Sequence, residues 1–121
     1  MNEVKSIAID LDGTILEFDW EQWAMYQMNY FGKPKEGAIK ALKFLKKLGY
    51  KIIIHTCRTN PKLHPQHTLG ELWMIVEKKL VEYGIPFDEV WVETGKPIAD
   101  LYIDDRGYRF GSWKQVMEEI R

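Results

Sequence analysis

Two pairs of acidic residues follow short apolar runs near opposite ends of the chain. Asp10 and Asp12 form the first pair, and Asp104 and Asp105 form the second. In an extended chain, residues two apart point to the same side, so Asp10 and Asp12 can face one ligand. Four carboxylates gathered at one place repel each other unless a cation lies among them, and oxygen ligands of this kind suit Mg²⁺. The pattern predicts a magnesium site made by these four side chains.

Hydrogen-bond donors and basic side chains occur where they can serve a phosphate group at the same place. Thr56 and the backbone amide of Cys57 follow an apolar run and can donate hydrogen bonds to phosphoryl oxygens. Lys96 precedes the last apolar run and can reach the same edge as a counter-charge. Arg58 follows Cys57, and its type and position are compatible either with a phosphate contact or with an ordinary loop position.

Apolar runs alternate along the chain with segments of helical periodicity. The runs predict strands at 7–9, 51–55, 90–92 and 101–103, and the periodic segments predict helices at 38–48, 68–83 and after Ser112, the last with Val116, Met117 and Ile120 on its inner side. This alternation predicts an α/β fold with a three-layer, Rossmann-like parallel sheet. Ligands of such sheets bind outside the carboxyl ends of the strands, so Asp10, Thr56 and Asp104 are expected to converge.

Bulk properties restrict the classes of protein that remain. The 121 residues fit a single domain at 1–121, and a formal net charge of −1 gives the whole chain no attraction to nucleic acid. The single cysteine, Cys57, excludes an internal disulfide and suits a reducing compartment. No apolar stretch has the length of a membrane span and no signal peptide is evident, so we expect a cytoplasmic protein without a membrane partner.

Four segments in order carry a resemblance to the haloacid dehalogenase (HAD) superfamily. Asp10-Leu11-Asp12-Gly13-Thr14 resembles its first motif, Ile52-Ile53-Ile54-His55-Thr56 its second, Lys96-Pro97 its third and Ile103-Asp104-Asp105 its fourth. The four segments span the chain from 10 to 105. The segment at 99–106 further resembles small HAD-like hydrolases of bacteria and phages.

The resemblance implies a Mg²⁺-dependent phosphatase that works through an aspartyl-phosphate. Asp10 would be the nucleophile, and Asp12 would be the general acid and base whose backbone carbonyl also binds the metal. Asp104 would be a direct metal ligand, and Asp105 would bind directly or through water. Thr56, Cys57 and Lys96 would hold the phosphoryl group, and Lys96 would offset the charge of the nucleophile.

The spacing of the motifs leaves no room for the cap domain that many HAD proteins carry. The segment at 15–33 would be the short flap that follows the first motif, and it is dense in aromatic residues. The residues at 18–31 favour packing in the core, or a homo-oligomer through this segment, over stacking on a nucleobase or sugar. The expected partner is a phosphorylated small molecule or macromolecular end.

Three alternatives remain open from the sequence. A phospho-acceptor signalling module also combines acids, Mg²⁺, threonine and a Lys-Pro pair, although in a different order along the chain. A non-catalytic HAD-like binding protein would be expected to lack Asp10 or Asp12, and both are present. The residues His55, Cys57, His64 and His67 could bind zinc, but their spacing lacks the usual paired-cysteine pattern.

Overall fold

A four-stranded parallel sheet organises the computed structural model, which describes residues 5–93 and 95–120. The strands are β1 (Ser6–Asp10), β2 (Lys51–His55), β3 (Glu89–Val90) and β4 (Leu101–Ile103). Their spatial order is β3-β2-β1-β4, and each neighbouring pair is parallel. The two strands that carry acids at their carboxyl ends, β1 and β4, are therefore adjacent.

Helices flank the sheet and connect its strands. They are α1 (Trp20–Tyr26), α2 (Ala38–Lys47), α3 (Leu69–Tyr83) and α4 (Trp113–Glu119), with short 3-10 helices at Gln27–Asn29 and Cys57–Thr59. This confirms the predicted α/β class, and the parallel sheet with its helices is compatible with a Rossmann-like architecture. Every helix of the described residues is too short or too polar to cross a bilayer.

The ends of α3 follow the capping signals in the sequence. The side chain of Thr68 accepts from the amide of Glu71 at 3.2 Å, and the Thr68 amide donates to the Glu71 carboxylate at 2.7 Å. Together these bonds satisfy two amides that the first turn of a helix cannot pair internally. Gly84 ends the helix in the left-handed conformation at φ 70°.

The core lies between one face of the sheet and two of its helices. Ile7, Ile9, Ile52 and Ile54 cluster with Leu42 of α2 and with Leu72, Val76 and Leu80 of α3. By strand alternation, Ala8 and Ile53 point to the opposite face, and both are also buried. The central strands are therefore buried on both faces, as their continuous apolar runs indicate.

The predicted strand at 90–92 is wrong in its bounds. The structure has it at Glu89–Val90. The Trp91 amide still donates to the Ile54 carbonyl at 2.9 Å, but the Trp91 carbonyl accepts from the Thr59 hydroxyl at 3.0 Å. The third strand therefore ends early, because the Thr59 hydroxyl, from the segment after β2, bonds the Trp91 carbonyl in place of a backbone amide of β2.

The apolar side of α4 is not buried, which is contrary to the sequence prediction. Met117 is 69% exposed and Ile120 61% exposed, and no residue of this helix is buried. Helical periodicity shows that one side of a helix is apolar, but it does not say which surface covers that side. The helix thus adds nothing to the core of the described chain.

Candidate active site

A cavity of about 1040 Å³ opens at the carboxyl ends of the strands, next to the flap segment at 15–33. Of the eight side chains predicted for the site, seven line this cavity: Asp10, Asp12, Thr56, Cys57, Arg58, Asp104 and Asp105. They meet there because parallel strands place their carboxyl ends at one edge of the sheet. The expected convergence of Asp10, Thr56 and Asp104 is confirmed.

The turn after β1 brings the two acidic segments into contact. Gly13 has φ +86°, a conformation that L side chains rarely adopt, and its amide donates to the Leu16 carbonyl at 2.8 Å. The carboxylate of Asp105 packs so closely on Gly13 that a Cβ atom there would collide with it. A glycine at this position therefore permits both the turn and the approach of the loop after β4.

The carboxylate of Asp10 lies in a strongly anionic environment. Its pKa is raised to about 6, first by burial and then by the negative charges of Asp105, Asp12 and, to a smaller degree, Asp104. The Leu11 amide opposes the shift, and the Thr14 hydroxyl donates to the Asp10 carboxylate at 3.4 Å. A cation in the cavity would relieve this repulsion and favour the ionised form of Asp10.

The donor chemistry of the cavity suits a hard cation such as Mg²⁺, because its acids offer only oxygen atoms. Across residues 5–93 and 95–120, however, no three His, Cys, Asp or Glu side chains are grouped closely enough to hold a metal ion. Asp104 points one oxygen at the amides of Arg106, at 2.9 Å, and Gly107. The assignment of Asp10, Asp12, Asp104 and Asp105 as metal ligands therefore stays a prediction.

Arg58 pairs with Asp12, a contact that the sequence did not predict, and its contact with a phosphate stays a prediction. Its side chain is 2% exposed, and its Nε and Nη2 atoms donate to the two Asp12 oxygens at 2.6 and 2.9 Å. The guanidinium carbon lies 3.9 Å from the Phe31 ring centroid and 4.8 Å from that of Trp23. This two-bond geometry fixes the orientation of the Asp12 carboxylate.

Thr56 and Cys57 stand at the start of the 3-10 helix that follows β2. The Thr56 hydroxyl oxygen accepts from the Arg58 amide at 3.2 Å, which leaves the hydroxyl proton available for a ligand in the cavity. Thr56 is buried and Cys57 is exposed. The two residues can therefore present one hydroxyl and one backbone amide to the same oxygen-rich ligand.

Lys96 is the predicted site residue that does not line the cavity. Its ammonium lies 4.1 Å from the centroid of the Tyr102 ring. Its charge nevertheless reaches the acidic edge, because it helps the amides of Arg106 and Gly107 to lower the pKa of Asp104. It also adds to the effect of burial in lowering the pKa of His55. The positive charge of Lys96 is therefore near the site, but Lys96 does not line the cavity.

Aromatic residues of the flap are part of the cavity wall, which sequence reasoning did not favour. Phe18, Trp20 and Trp23 line it, and Trp20 is 63% exposed. Arg106, which the sequence did not mark as functional, lines the cavity and lies 5.5 Å from the Trp20 ring centroid. The sequence contained a sign of this role, because the aromatic residues repeat at helical spacing just after the first pair of acids.

His64, from the loop between β2 and α3, also reaches the cavity wall. Its ring lies edge-on to that of Trp23, with the centroids 5.8 Å apart. Burial lowers its pKa, which favours the neutral imidazole. His64 therefore joins the loop after β2 to the flap through an uncharged aromatic contact.

Two solved structures share this fold over nearly the whole chain. A conserved protein from Bacteroides thetaiotaomicron is 25% identical, with a TM-score of 0.61, and the match covers 98% of this chain and 90% of that one. A crystal structure of a target protein from Vibrio cholerae is 26% identical, with a TM-score of 0.54 and 95% of both chains covered. No protein-family model and no curated protein matches the chain. The likenesses support the α/β fold described above.

Proposed function

We propose that the protein is a Mg²⁺-dependent phosphatase that hydrolyses phosphomonoesters through an aspartyl-phosphate on Asp10. The observation that carries this proposal is the shared cavity, which brings Asp10 and Asp12, at and after the end of β1, together with Asp104 and Asp105, which follow β4. The order and spacing of these residues resemble the HAD superfamily. We therefore also propose that the chain is a capless HAD-like hydrolase of one domain, with its flap at 15–33.

In the first half of the reaction, an Asp10 carboxylate oxygen attacks the phosphorus atom of the substrate. A new bond forms between that oxygen and phosphorus, and the bond from phosphorus to the leaving oxygen breaks. Asp12 supplies the proton that the leaving oxygen takes up. The Thr56 hydroxyl and the Cys57 amide donate hydrogen bonds to the remaining phosphoryl oxygens as negative charge builds on them.

In the second half, water cleaves the aspartyl-phosphate. Asp12, now ionised, takes a proton from a water molecule, and the water oxygen attacks phosphorus while the bond to Asp10 breaks. Inorganic phosphate leaves, and both carboxylates return to their starting forms. Arg58 is a positioning residue in this second half, because it holds the ionised Asp12 carboxylate through two hydrogen bonds.

The metal ion would be held by Asp10, the Asp12 carbonyl and Asp104, with Asp105 bound directly or through water. When bound, Mg²⁺ supplies positive charge that lets a carboxylate approach an anionic phosphate. The anionic surroundings that raise the pKa of Asp10 to about 6 support a cation at this place. Lys96 adds a second, more distant positive charge.

The remaining expectations belong to the same proposal. The substrate is a phosphorylated small molecule or macromolecular end, and the protein works in the cytoplasm. Self-association through the aromatic segment at 18–31 stays a prediction. Trp23 and Phe31 of that segment already stack on Arg58, and Trp20 lines the cavity, so the exposed Tyr26 would carry such a contact.

A phosphate-release screen tests the proposal. The purified chain is incubated with a broad panel of phosphomonoesters in Mg²⁺ and, separately, in a chelator. We expect many phosphates released per chain in Mg²⁺, and loss of turnover in Asp10→Asn, because an amide is not a nucleophile here. Glu118→Gln is the matched control, an acid-to-amide change on exposed α4. Retained turnover in Asp10→Asn would exclude this residue as the nucleophile.

Trapping of the phosphoenzyme separates the enzyme from the alternatives. In Asp12→Asn we expect slower turnover and accumulation of phosphate covalently bound to the protein, because hydrolysis of the intermediate needs a general base. A wild-type chain that takes up one phosphate and retains it would instead be a phospho-acceptor module. A wild-type chain that neither releases nor takes up phosphate would be a non-catalytic binding protein.

A further inference from the structure

The cavity has an aromatic wall that the proposed chemistry does not use. Phe18, Trp20 and Trp23 come from the flap, and the Phe18 ring meets the Trp20 ring edge-on with the centroids 4.8 Å apart. Trp23 is engaged on the guanidinium of Arg58. Unlike Trp23, Trp20 keeps its large side chain 63% exposed in the cavity wall. An indole held in this way offers a stacking surface.

The size of the cavity indicates a substrate much larger than the phosphate group. Its volume of about 1040 Å³ lies just above the range of roughly 300–1,000 Å³ that small-molecule sites occupy. The phosphate contacts proposed for Asp10, Thr56 and Cys57 would use only the sheet edge. The flap side of the cavity is therefore available for the group to which the phosphate is attached.

The charges of the cavity wall favour a substrate with one phosphate over a polynucleotide. The wall carries five carboxylates, from Asp10, Asp12, Glu17, Asp104 and Asp105, and three cationic side chains, from Lys35, Arg58 and Arg106. One of those cations, Arg58, is already paired with Asp12. Binding of a polynucleotide depends on neutralising many backbone phosphates with basic residues, and this wall is acidic.

Because the flat face of a nucleobase stacks on an exposed indole, we propose that the substrate is a nucleoside monophosphate whose base stacks on Trp20. This inference rests on the proposed phosphatase function for its phosphate end. The base occupies the position over the Trp20 ring where the Arg106 guanidinium now lies, at 5.5 Å. The flexible Arg106 side chain is then free to move toward the phosphate. Stacking tolerates any base. The site should therefore prefer a nucleotide over a sugar phosphate without a base, but it should not select one base over another.

Paired substrates that differ only by the base test this inference. Adenosine 5′-monophosphate and ribose 5-phosphate carry the same phosphorylated sugar, and only the first has a planar ring. We expect kcat/KM for adenosine 5′-monophosphate to exceed that for ribose 5-phosphate by about tenfold to a hundredfold, mainly through a lower KM, because a stacked base contributes that much to binding. Equal kcat/KM values in the wild-type protein would overturn the proposal.

Trp20→Ala tests the position of the base. We expect it to bring the ratio of the two kcat/KM values close to one, and Trp20→Phe to restore part of the preference. Trp113→Ala is the matched control, since Trp113 is 71% exposed and does not line the cavity. The control should keep the wild-type ratio. A Trp20→Ala protein that keeps the preference for the nucleotide would also overturn the proposal.

A binding measurement keeps this inference separate from the proposed function. Calorimetry with adenosine and with ribose needs no hydrolysis, and neither molecule carries a phosphate. Adenosine binding that is lost in Trp20→Ala would support the aromatic site even if no phosphate is released. Phosphatase activity without adenosine binding would support the enzyme and remove the base site. Preference for a phosphorylated oligonucleotide over the mononucleotide would replace this substrate class with a polynucleotide end.

Discussion

Replacing Arg58 with alanine removes a buried cation that has one anionic and two aromatic partners. Loss of one partner of a buried ion pair costs about 3–5 kcal/mol. The Asp12 side chain is 20% exposed, so water can solvate part of its orphaned carboxylate, and the lower end of about 3 kcal/mol applies. Stacking on Phe31 adds about 1 kcal/mol. We expect Arg58→Ala to lower the free energy of unfolding by about 4 kcal/mol.

Urea unfolding and thermal melting measure this loss. For a chain of 121 residues, about 4 kcal/mol lowers Tm by roughly 15 °C. Lys79→Ala is the matched control, because Lys79 also lies over the Phe31 ring, at 5.4 Å, but forms a more exposed ion pair with Glu82. An exposed ion pair contributes about 0–1 kcal/mol, and a partly exposed cation over the Phe31 and Tyr83 rings adds about 1 kcal/mol. The control should therefore lose about 1–2 kcal/mol, well below the loss in Arg58→Ala. Arg58→Lys, which keeps the charge but not the two-bond geometry, should lie between the two variants.

A double-mutant cycle with Asp12→Asn tests whether Arg58 acts through Asp12. If the two side chains stabilise each other, the combined loss should be smaller than the sum of the single losses by about 1–3 kcal/mol. Additive losses would mean that the ion pair contributes no coupling. A loss in Arg58→Ala no larger than that in Lys79→Ala would refute the buried pair as the source of stability.

Three further predictions concern the acid, a helix cap and two glycines. The folded-state pKa of Asp10, about 6, exceeds the ordinary value of 3.8, so the folded protein binds more protons between these values, and its stability in chelator should fall as pH rises from about 4 to 6. Asp10→Asn should flatten that dependence in urea unfolding, and an unchanged slope would assign it to other groups. Thr68→Ala should cost about 1 kcal/mol, whereas Ser112→Ala, the same loss of a cap on α4, should cost less because α4 buries no residue. Both Gly13→Ala and Gly84→Ala strain a backbone at positive φ by about 1 kcal/mol, but only at Gly13 does the added Cβ meet a neighbouring carboxylate. Gly13→Ala should therefore lose more stability in melting curves and also lose phosphate release, and equal effects of the two substitutions would contradict the close contact.

Local signals in the sequence predicted most of the secondary structure. The strands at 51–55 and 101–103 have the predicted bounds, and Thr68 begins α3 through the expected capping box. These features depend on side chains a few residues apart, which the sequence displays directly. The strand at Glu89–Val90 was placed too late, because its end depends on Thr59 from another part of the chain.

The convergence of the acids also followed from the sequence, because parallel topology alone brings the carboxyl ends of strands to one edge. Which side chains pair with each other at that edge could not be predicted from the sequence. Arg58 and Asp12 are 46 residues apart, and their pairing depends on how the flap packs against the loop after β2. The exposed side of α4 and the distance of Lys96 from the cavity wall are likewise results of packing.

The sequence by itself determined the α/β class, the order of the elements and the carboxylates, threonine and amide that face the cavity. Only the tertiary structure decided that Arg58 pairs with Asp12, and that Trp20 stands exposed in the wall of the cavity that the acids line. The physical reason is how far apart along the chain the interacting residues lie. Helix hydrogen bonds, caps and hydrophobic periodicity act between near neighbours, whereas ion pairs and ring contacts form between side chains that only the folded chain brings together.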